Sequence, residues 1–284
     1  MFIKDDYKIK ILNQSGIELK GYYYNNNSNS CVVGFAGLGG TCDNMFCAIA
    51  NRVTEKGISF LFGNTQASYK VKELKQHAVN GEVKTVLRGG AYENYDDTIN
   101  DMMCWVNFAL RQNYENIFLI GASLACNRLI SMLNKECPEK IKKLILICPQ
   151  DMHIQIDCDM LKEAEENIKS GEGDKLLSSK VFGYCEICGR TYKEIFTRKD
   201  INNIPYLSAL QDFSMFSKIN LPILSVIGSE DQGLSYLPIS AMEAMKILRN
   251  NNKNLQFSIV NGASHSFKGY EDGLAKIITQ YLEK

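Results

Sequence analysis

Gly121-Ala122-Ser123-Leu124-Ala125 stands where an apolar run, Ile117 to Gly121, gives way to a helical pattern carrying Leu129, Ile130 and Leu133. A serine on such a strand-to-helix turn is held in a strained backbone conformation, and its neighbours must be small to clear the adjoining strand and helix. Ala125 takes the place of the second glycine of G-x-S-x-G. A serine hydroxyl is a weak nucleophile at neutral pH, so the turn needs a histidine base and a carboxylate that holds the imidazole in one tautomer. Both occur downstream: Asp231 in Gly228-Ser229-Glu230-Asp231, and His265 in Gly262-Ala263-Ser264-His265-Ser266-Phe267. Each follows an apolar run, Ile223 to Gly228 and Leu255 to Val260, and so falls where loops gather at the C-terminal edge of a parallel sheet. Taken singly, each has a plainer reading: an incidental serine in a small-residue turn, a turn or capping aspartate, a loop histidine. It is the three placements and their order that point to acyl chemistry. His77 lies in a polar connection and His153 at the start of an irregular stretch, where surface roles fit better. For the acid, Asp231 comes first and Asp151, in Cys148-Pro149-Gln150-Asp151, second, with Glu230 a neighbouring alternative.

Acyl transfer also requires donors for a developing oxyanion, commonly the N–H after the nucleophile and one from the loop after an early strand. Leu124 and Leu38 are the candidates, the latter in Gly37-Leu38-Gly39-Gly40, whose glycines let backbone approach a substrate closely. Phosphate binding fails on spacing, because neither G-x-G-x-x-G nor a following Gly-Lys-Ser/Thr is present. Cys185-x-x-Cys188 has metal-like spacing, but structural zinc wants a second pair or added histidines, and no thioredoxin-like unit surrounds it.

The elements that must position these residues alternate. Tyr7 to Asn13 and Ile17 to Tyr24 read as a hairpin, and Cys31 to Ala36 as a buried strand entering the glycine turn. Asp43 caps a helix through Met45, Ile49 and Val53, and Ile58 to Phe62 is the next strand. Residues 63–92 read as a long polar connection. Ile99, Met102, Met103, Val106 and Leu110 mark a long amphipathic helix before the strand that ends at the Ser123 turn, and Lys143 to Cys148 is the sixth strand. Residues 152–216 break the rhythm, with a charged helix from Met160 to Lys169 and no clear periodicity from Cys185 to Thr197. Strands at Ile223 to Gly228 and Leu255 to Val260 then alternate with helices at Ile239 to Arg249 and Glu271 to Leu282. The expectation is a single α/β domain over 1–284, an eight-stranded, mostly parallel sheet flanked by helices, with 152–216 inserted as a cap after strand six.

Composition agrees with a globular core: 284 residues, 45% hydrophobic and 23% charged. Thirty-two basic residues balance 32 acidic ones, so no net field favours nucleic acid or an anionic membrane surface. The stretch from Met1 to Asp6 lacks a leader's apolar core, and no run approaches about 18 apolar residues, so the expected place is the cytoplasm. Cys31, Cys104, Cys126 and Cys148 sit in apolar segments, as reduced, structural thiols do.

Over its full length the chain resembles the α/β-hydrolase superfamily. Within it, Arg88-Gly89-Gly90-Ala91-Tyr92-Glu93, Cys148-Pro149-Gln150-Asp151 and Ala263-Ser264-His265-Ser266-Phe267 resemble a subgroup related to fungal siderophore-ester hydrolases. The resemblance implies Ser123 as nucleophile, His265 as base, Asp231 as acid, Leu38 and Leu124 as amide donors, and no metal or organic cofactor. Two departures stand out: Ala36 replaces the histidine that many relatives carry before the oxyanion glycine, and the elbow is Ala-Ser-Leu-Ala rather than Gly-His-Ser-x-Gly. The expected function is hydrolysis of an ester or thioester of a small-molecule or carrier-bound acyl substrate. The alternatives are acyl transfer to an amine, alcohol or thiol by the same triad, and a non-catalytic ligand-binding module on the same fold.

Overall fold

The computed structural model describes residues 8–206, 212–235 and 239–284. Residues 1–7, which include the stretch expected to lack a leader's apolar core and the first residue of the expected hairpin, and 207–211 of the expected cap lie outside the described residues. Strands β1 (Lys8–Leu12) and β2 (Glu18–Tyr24) form the N-terminal hairpin, followed by β3 (Ser30–Phe35), helix α1 (Asn44–Glu55) and β4 (Ser59–Gly63). The 63–92 stretch departs from expectation. It folds into an antiparallel pair, β5 (Lys72–His77) and β6 (Val83–Arg88), and a turn of 3-10 helix over Gly90–Tyr92. These strands, KELKQH and VKTVLR, have no uniformly buried face, so they lack the apolar alternation by which a half-buried strand is read.

Helix α2 (Tyr95–Arg111) leads to β7 (Asn116–Ala122), α3 (Leu124–Lys135) and β8 (Ile141–Ile147). The chain then leaves the sheet, carrying α4 (Cys158–Lys169), α5 (Gly189–Thr197) and α6 (Ser214–Ser217), before β9 (Ile223–Glu230), α7 (Gln232–Ser235), α8 (Ala241–Asn251), β10 (Leu255–Ser264) and α9 (Glu271–Leu282). Helix α5 lies in the stretch without readable periodicity. Its buried residues, Gly189, Thr191, Tyr192, Ile195 and Phe196, include a glycine and a threonine that hydropathy alone does not place inside.

Eight strands form one sheet in the order β1-β2-β4-β3-β7-β8-β9-β10. Pairings from β4 through β10 are parallel, while β1 and β2 are attached antiparallel. Central strands are apolar throughout because helices cover both faces: β4 is buried at every position and β7 at all but its first. The edge strand β1 instead alternates exposed and half-buried residues. Helix starts are chemically marked: Asp43 caps α1, Asn94 caps α2, and Ser240 with Glu243 forms a reciprocal capping box on α8. Helices α1 and α9 pack together, as do α2 and α3. Strand β10 runs beyond the expected Val260, with a register shift against β9 between Val260 and Ser264, which delivers His265 to the edge beside Asp231. No helix among the described residues is long and apolar enough to cross a membrane.

Candidate active site

Ser123 sits between β7 and α3 with φ 57° and ψ −131°, a left-handed conformation costly for a side-chain-bearing residue. It is held there from both sides: its N–H donates to the Ile147 carbonyl at the end of β8 (2.8 Å), and its own carbonyl accepts from the Cys126 N–H (2.9 Å). The turn demands small neighbours. A Cβ on Gly121 would lie 2.8 Å from Leu129 Cδ1 and 2.9 Å from the Ala125 carbonyl oxygen. On the facing loop, a Cβ on Gly37 would lie 2.8 Å from Ser123 Cβ and 3.2 Å from its Oγ, so any larger residue there would displace the serine or the loop.

Leu124 is the first residue of α3, where an N–H has no acceptor within the helix and the helix dipole favours negative charge. Leu38, from the loop after β3, lines the same cavity as Ser123 and Leu124.

His265 Nδ1 lies 2.8 Å from Asp231 Oδ1, although the two residues are 34 positions apart. This bond places the proton on Nδ1 and leaves Nε2 as the acceptor of the neutral ring. The same Asp231 oxygen accepts the Gly233 N–H at 2.8 Å, and the His265 N–H donates to Gln232 Oε1 at 3.0 Å. Burial pushes the Asp231 carboxyl upward. The hydrogen bond and charge of His265, the Cys148 thiol and the Gly233 N–H outweigh it, holding the carboxyl below the ordinary range. Cys148, which also has positive φ (47°), is itself pushed well up by burial and then by the Asp231 charge, so it stays a thiol.

Asp151 is brought elsewhere. It is fully buried and accepts from Asn202 Nδ2 at 2.9 Å, while Asn202 Oδ1 takes the Met152 N–H at 2.7 Å. Its carboxylate thus anchors the excursion after β8, and the imidazole bond belongs to Asp231. Glu230 is exposed at the end of β9. His77 ends β5, and His153 Nε2 lies 3.3 Å from the Arg198 carbonyl. Neither lines the cavity. Cys188 Sγ donates to Thr191 Oγ1 (3.3 Å) and Cys185 Sγ to the Glu186 carbonyl (3.6 Å), so each thiol is engaged with a different partner. Among the described residues, Cys148, Asp231 and His265 are the one trio of metal-ligand type, with ligand atoms within 4.8 Å of one another. Two of those atoms are already committed to each other in the imidazole–carboxylate bond.

The cavity holds about 480 Å³. Ser123 and His265 both line it, with Leu38, Phe46 and Leu124 on the sheet side and Phe182 and Tyr184 contributed by the excursion. A buried residue absent from the sequence reading supports it: Arg128 on α3, whose Nη2 meets Glu93 Oε2 at 2.5 Å and whose Nη1 donates to the Ala36 carbonyl at 3.4 Å. Burial raises the Glu93 carboxyl against the pull of this arginine. The Glu93 carbonyl in turn accepts from Thr191 Oγ1 (2.8 Å). An arginine among the buried residues of α3, beside Asn127 and Ser131, is the available signal.

Solved structures share this architecture. Est1E from Butyrivibrio proteoclasticus superposes with a TM-score of 0.64 at 14% identity, over 97% of this chain and 97% of its own. The fold is that of the α/β-hydrolases. The Pyrococcus furiosus esterase Pf2001 matches with a TM-score of 0.60 at 13% identity over 100% of this chain and 94% of its own. An alpha-beta serine hydrolase homologue from Coxiella burnetii matches at 0.58 and 13% identity over 99% and 100%. No protein-family model and no curated protein sequence matches the chain. At these identities the likeness to α/β-hydrolases is one of fold.

Proposed function

We propose that this chain is a serine hydrolase that cleaves an ester or thioester of a small molecule through an acyl-enzyme on Ser123. The observation that carries the reading is the His265 Nδ1 to Asp231 Oδ1 bond of 2.8 Å, at a cavity that Ser123 also lines from a strained elbow. A buried carboxylate kept ionised, one fixed imidazole tautomer and a serine at a helix N-terminus are the parts that acyl transfer requires.

In the first half-reaction His265 Nε2 takes the Ser123 proton as Oγ attacks the carbonyl carbon. The tetrahedral oxyanion draws on the Leu38 and Leu124 N–H groups. As the carbon–oxygen or carbon–sulfur bond breaks, the imidazolium returns its proton to the leaving alcohol or thiol. A water then repeats the sequence on the acyl-enzyme, giving the free acid and restoring Ser123. Asp231 keeps its negative charge throughout, orienting the ring and stabilising its cationic form.

The fold neighbours favour the same reading, since Est1E, also solved with ferulic acid bound, and Pf2001 share the architecture, and the latter is an esterase. The deciding experiment is labelling with a fluorophosphonate probe, located by peptide mass spectrometry. Labelling at Ser123 that collapses in His265→Ala is the expected result. A folded protein whose Ser123 stays unlabelled while it turns over no ester would overturn the proposal.

A further inference from the structure

Two large aromatic side chains stand out of keeping with their surroundings. Phe182 is 47% exposed and Tyr184 54%, and both face the catalytic cavity. They are displayed on a turn that is fastened at its base. The Val181 N–H donates to the Cys185 carbonyl (2.8 Å), the Cys185 N–H returns to the Val181 carbonyl (3.0 Å), and both flanking side chains are buried. Lys70 reaches across from the segment before β5 to donate to the Tyr184 carbonyl at 3.0 Å, with its ammonium 5.4 Å from the Tyr184 ring centroid. Phe182 rests edge-on against Phe196 of α5 at 6.4 Å, and lies 6.2 Å from Tyr184 with ring planes tilted by 36°.

Phe182 has φ 54° and Gly183 φ 75°. An aromatic residue in left-handed backbone is strained, and exposing two rings forgoes the stabilisation that burial would bring. Strain and solvent-facing apolar surface together at the mouth of a cavity mark a surface kept for a ligand. The charge of the cavity narrows that ligand. No lysine or arginine is found among its described lining residues, Asp43 supplies a carboxylate, and the cation beside the wall, Lys70, is already engaged with the Tyr184 carbonyl, so an uncharged aryl group suits the wall better than an anionic one.

We propose that Phe182 and Tyr184 form the specificity wall of the site, taking the flat aryl group of an uncharged ester whose carbonyl reaches Ser123. This rests on the hydrolase reading and adds the substrate class. Rings at this spacing and tilt offer stacked and edge-to-face contacts to a third ring, which a saturated ring of equal bulk gains less from.

The test compares two aryl esters, methyl 3-phenylpropanoate and 2-phenylethyl acetate, with their cyclohexyl counterparts. It uses wild type and the Phe182→Leu/Tyr184→Leu double variant, which keeps apolar bulk, with thermal unfolding as the folding control. At least one aryl ester should lose about tenfold in kcat/KM, mainly through KM, while its cyclohexyl counterpart and methyl acetate change less than about twofold. Calorimetric binding of the intact aryl ester to Ser123→Ala, lost when the double change is added, reads the wall without turnover and so separates its failure from failure of the hydrolase reading. Equal losses for aryl and cyclohexyl esters, or aryl binding unaffected by the double change, would overturn the assignment. So would methyl 3-(4-carboxyphenyl)propanoate turning over as well as its uncharged parent.

Discussion

The sheet edge and the excursion between β8 and β9 meet across one cavity, but they are held by different forces. At the edge, the turns that leave β7 and β8 are each tied to a neighbouring strand: the Ser123 N–H donates to the Ile147 carbonyl and the Cys148 N–H to the Val226 carbonyl, both at 2.8 Å. Those strands are buried on both faces, so moving a loop start means breaking backbone hydrogen bonds inside a close-packed core. The excursion also buries Tyr192, Phe196 and Ile204 in the core, but its surface is laced by ion pairs such as Lys180–Glu186 (3.1 Å), which flanks the Phe182–Tyr184 turn, Arg190–Asp174 (3.3 Å) and Lys193–Glu165 (3.1 Å), all with largely solvated side chains. Such pairs contribute about 0–1 kcal/mol each. The groups proposed for bond-making thus sit where displacement is costly, and the turn proposed to select a substrate sits on the solvated side of the excursion.

Substitutions at matching positions in the two regions sharpen that contrast, beginning with the largest effect. Ser123→Ala should lower kcat by about 10⁶-fold and Asp231→Asn by about 10⁴-fold, whereas Asp151→Asn should cost less than about tenfold. Steady-state kinetics on one activated ester decides this, and a deeper loss for Asp151→Asn than for Asp231→Asn would return the acid to the excursion. Arg128→Met removes one partner of a buried pair that also holds Ala36, and should cost about 3–5 kcal/mol in urea unfolding. Arg190→Met, its counterpart in the exposed excursion, should stay within about 0.5 kcal/mol. Equal costs would break the comparison.

Gly37→Ala pushes a methyl group against Ser123 and should reduce kcat by about 100-fold with little change in KM, since small misplacements of a nucleophile are costly. The smallest effect is on pH dependence. Because the folded-state Asp231 carboxyl is lowered, its ionised form contributes stability that is fully present above the unfolded value of about 3.9 and lost as pH falls through the folded one. Unfolding free energies of wild type and Asp231→Asn should therefore converge as pH drops below about 4. A gap that stays constant to pH 2 would show that the carboxylate's charge plays no part.

The readable parts of this chain are those where side-chain chemistry and element period coincide. Ser123 could be placed because small residues bracket it at a change from strand to helix, and the last helix, Glu271 to Leu282, because its apolar period is clean. The β5–β6 pair escaped because polar side chains on both strands carry no alternation, and α5 because its inner face includes Gly189 and Thr191. Arg128 and Glu93 stand 35 positions apart, and nothing in either local pattern announces the partner.

By itself the sequence determined the chain order of the strands of the mostly parallel eight-stranded sheet, most of the helices between them and a short list of groups able to do acyl chemistry. These follow from hydrophobic period, turn residues and side-chain type, all of which act over a few neighbouring positions. Only the tertiary structure decided which carboxylate meets His265, which glycine touches Ser123 and which part of the excursion reaches the cavity. Those are distances between residues remote in sequence, fixed by strand order and by a register shift in β10 that no local pattern encodes.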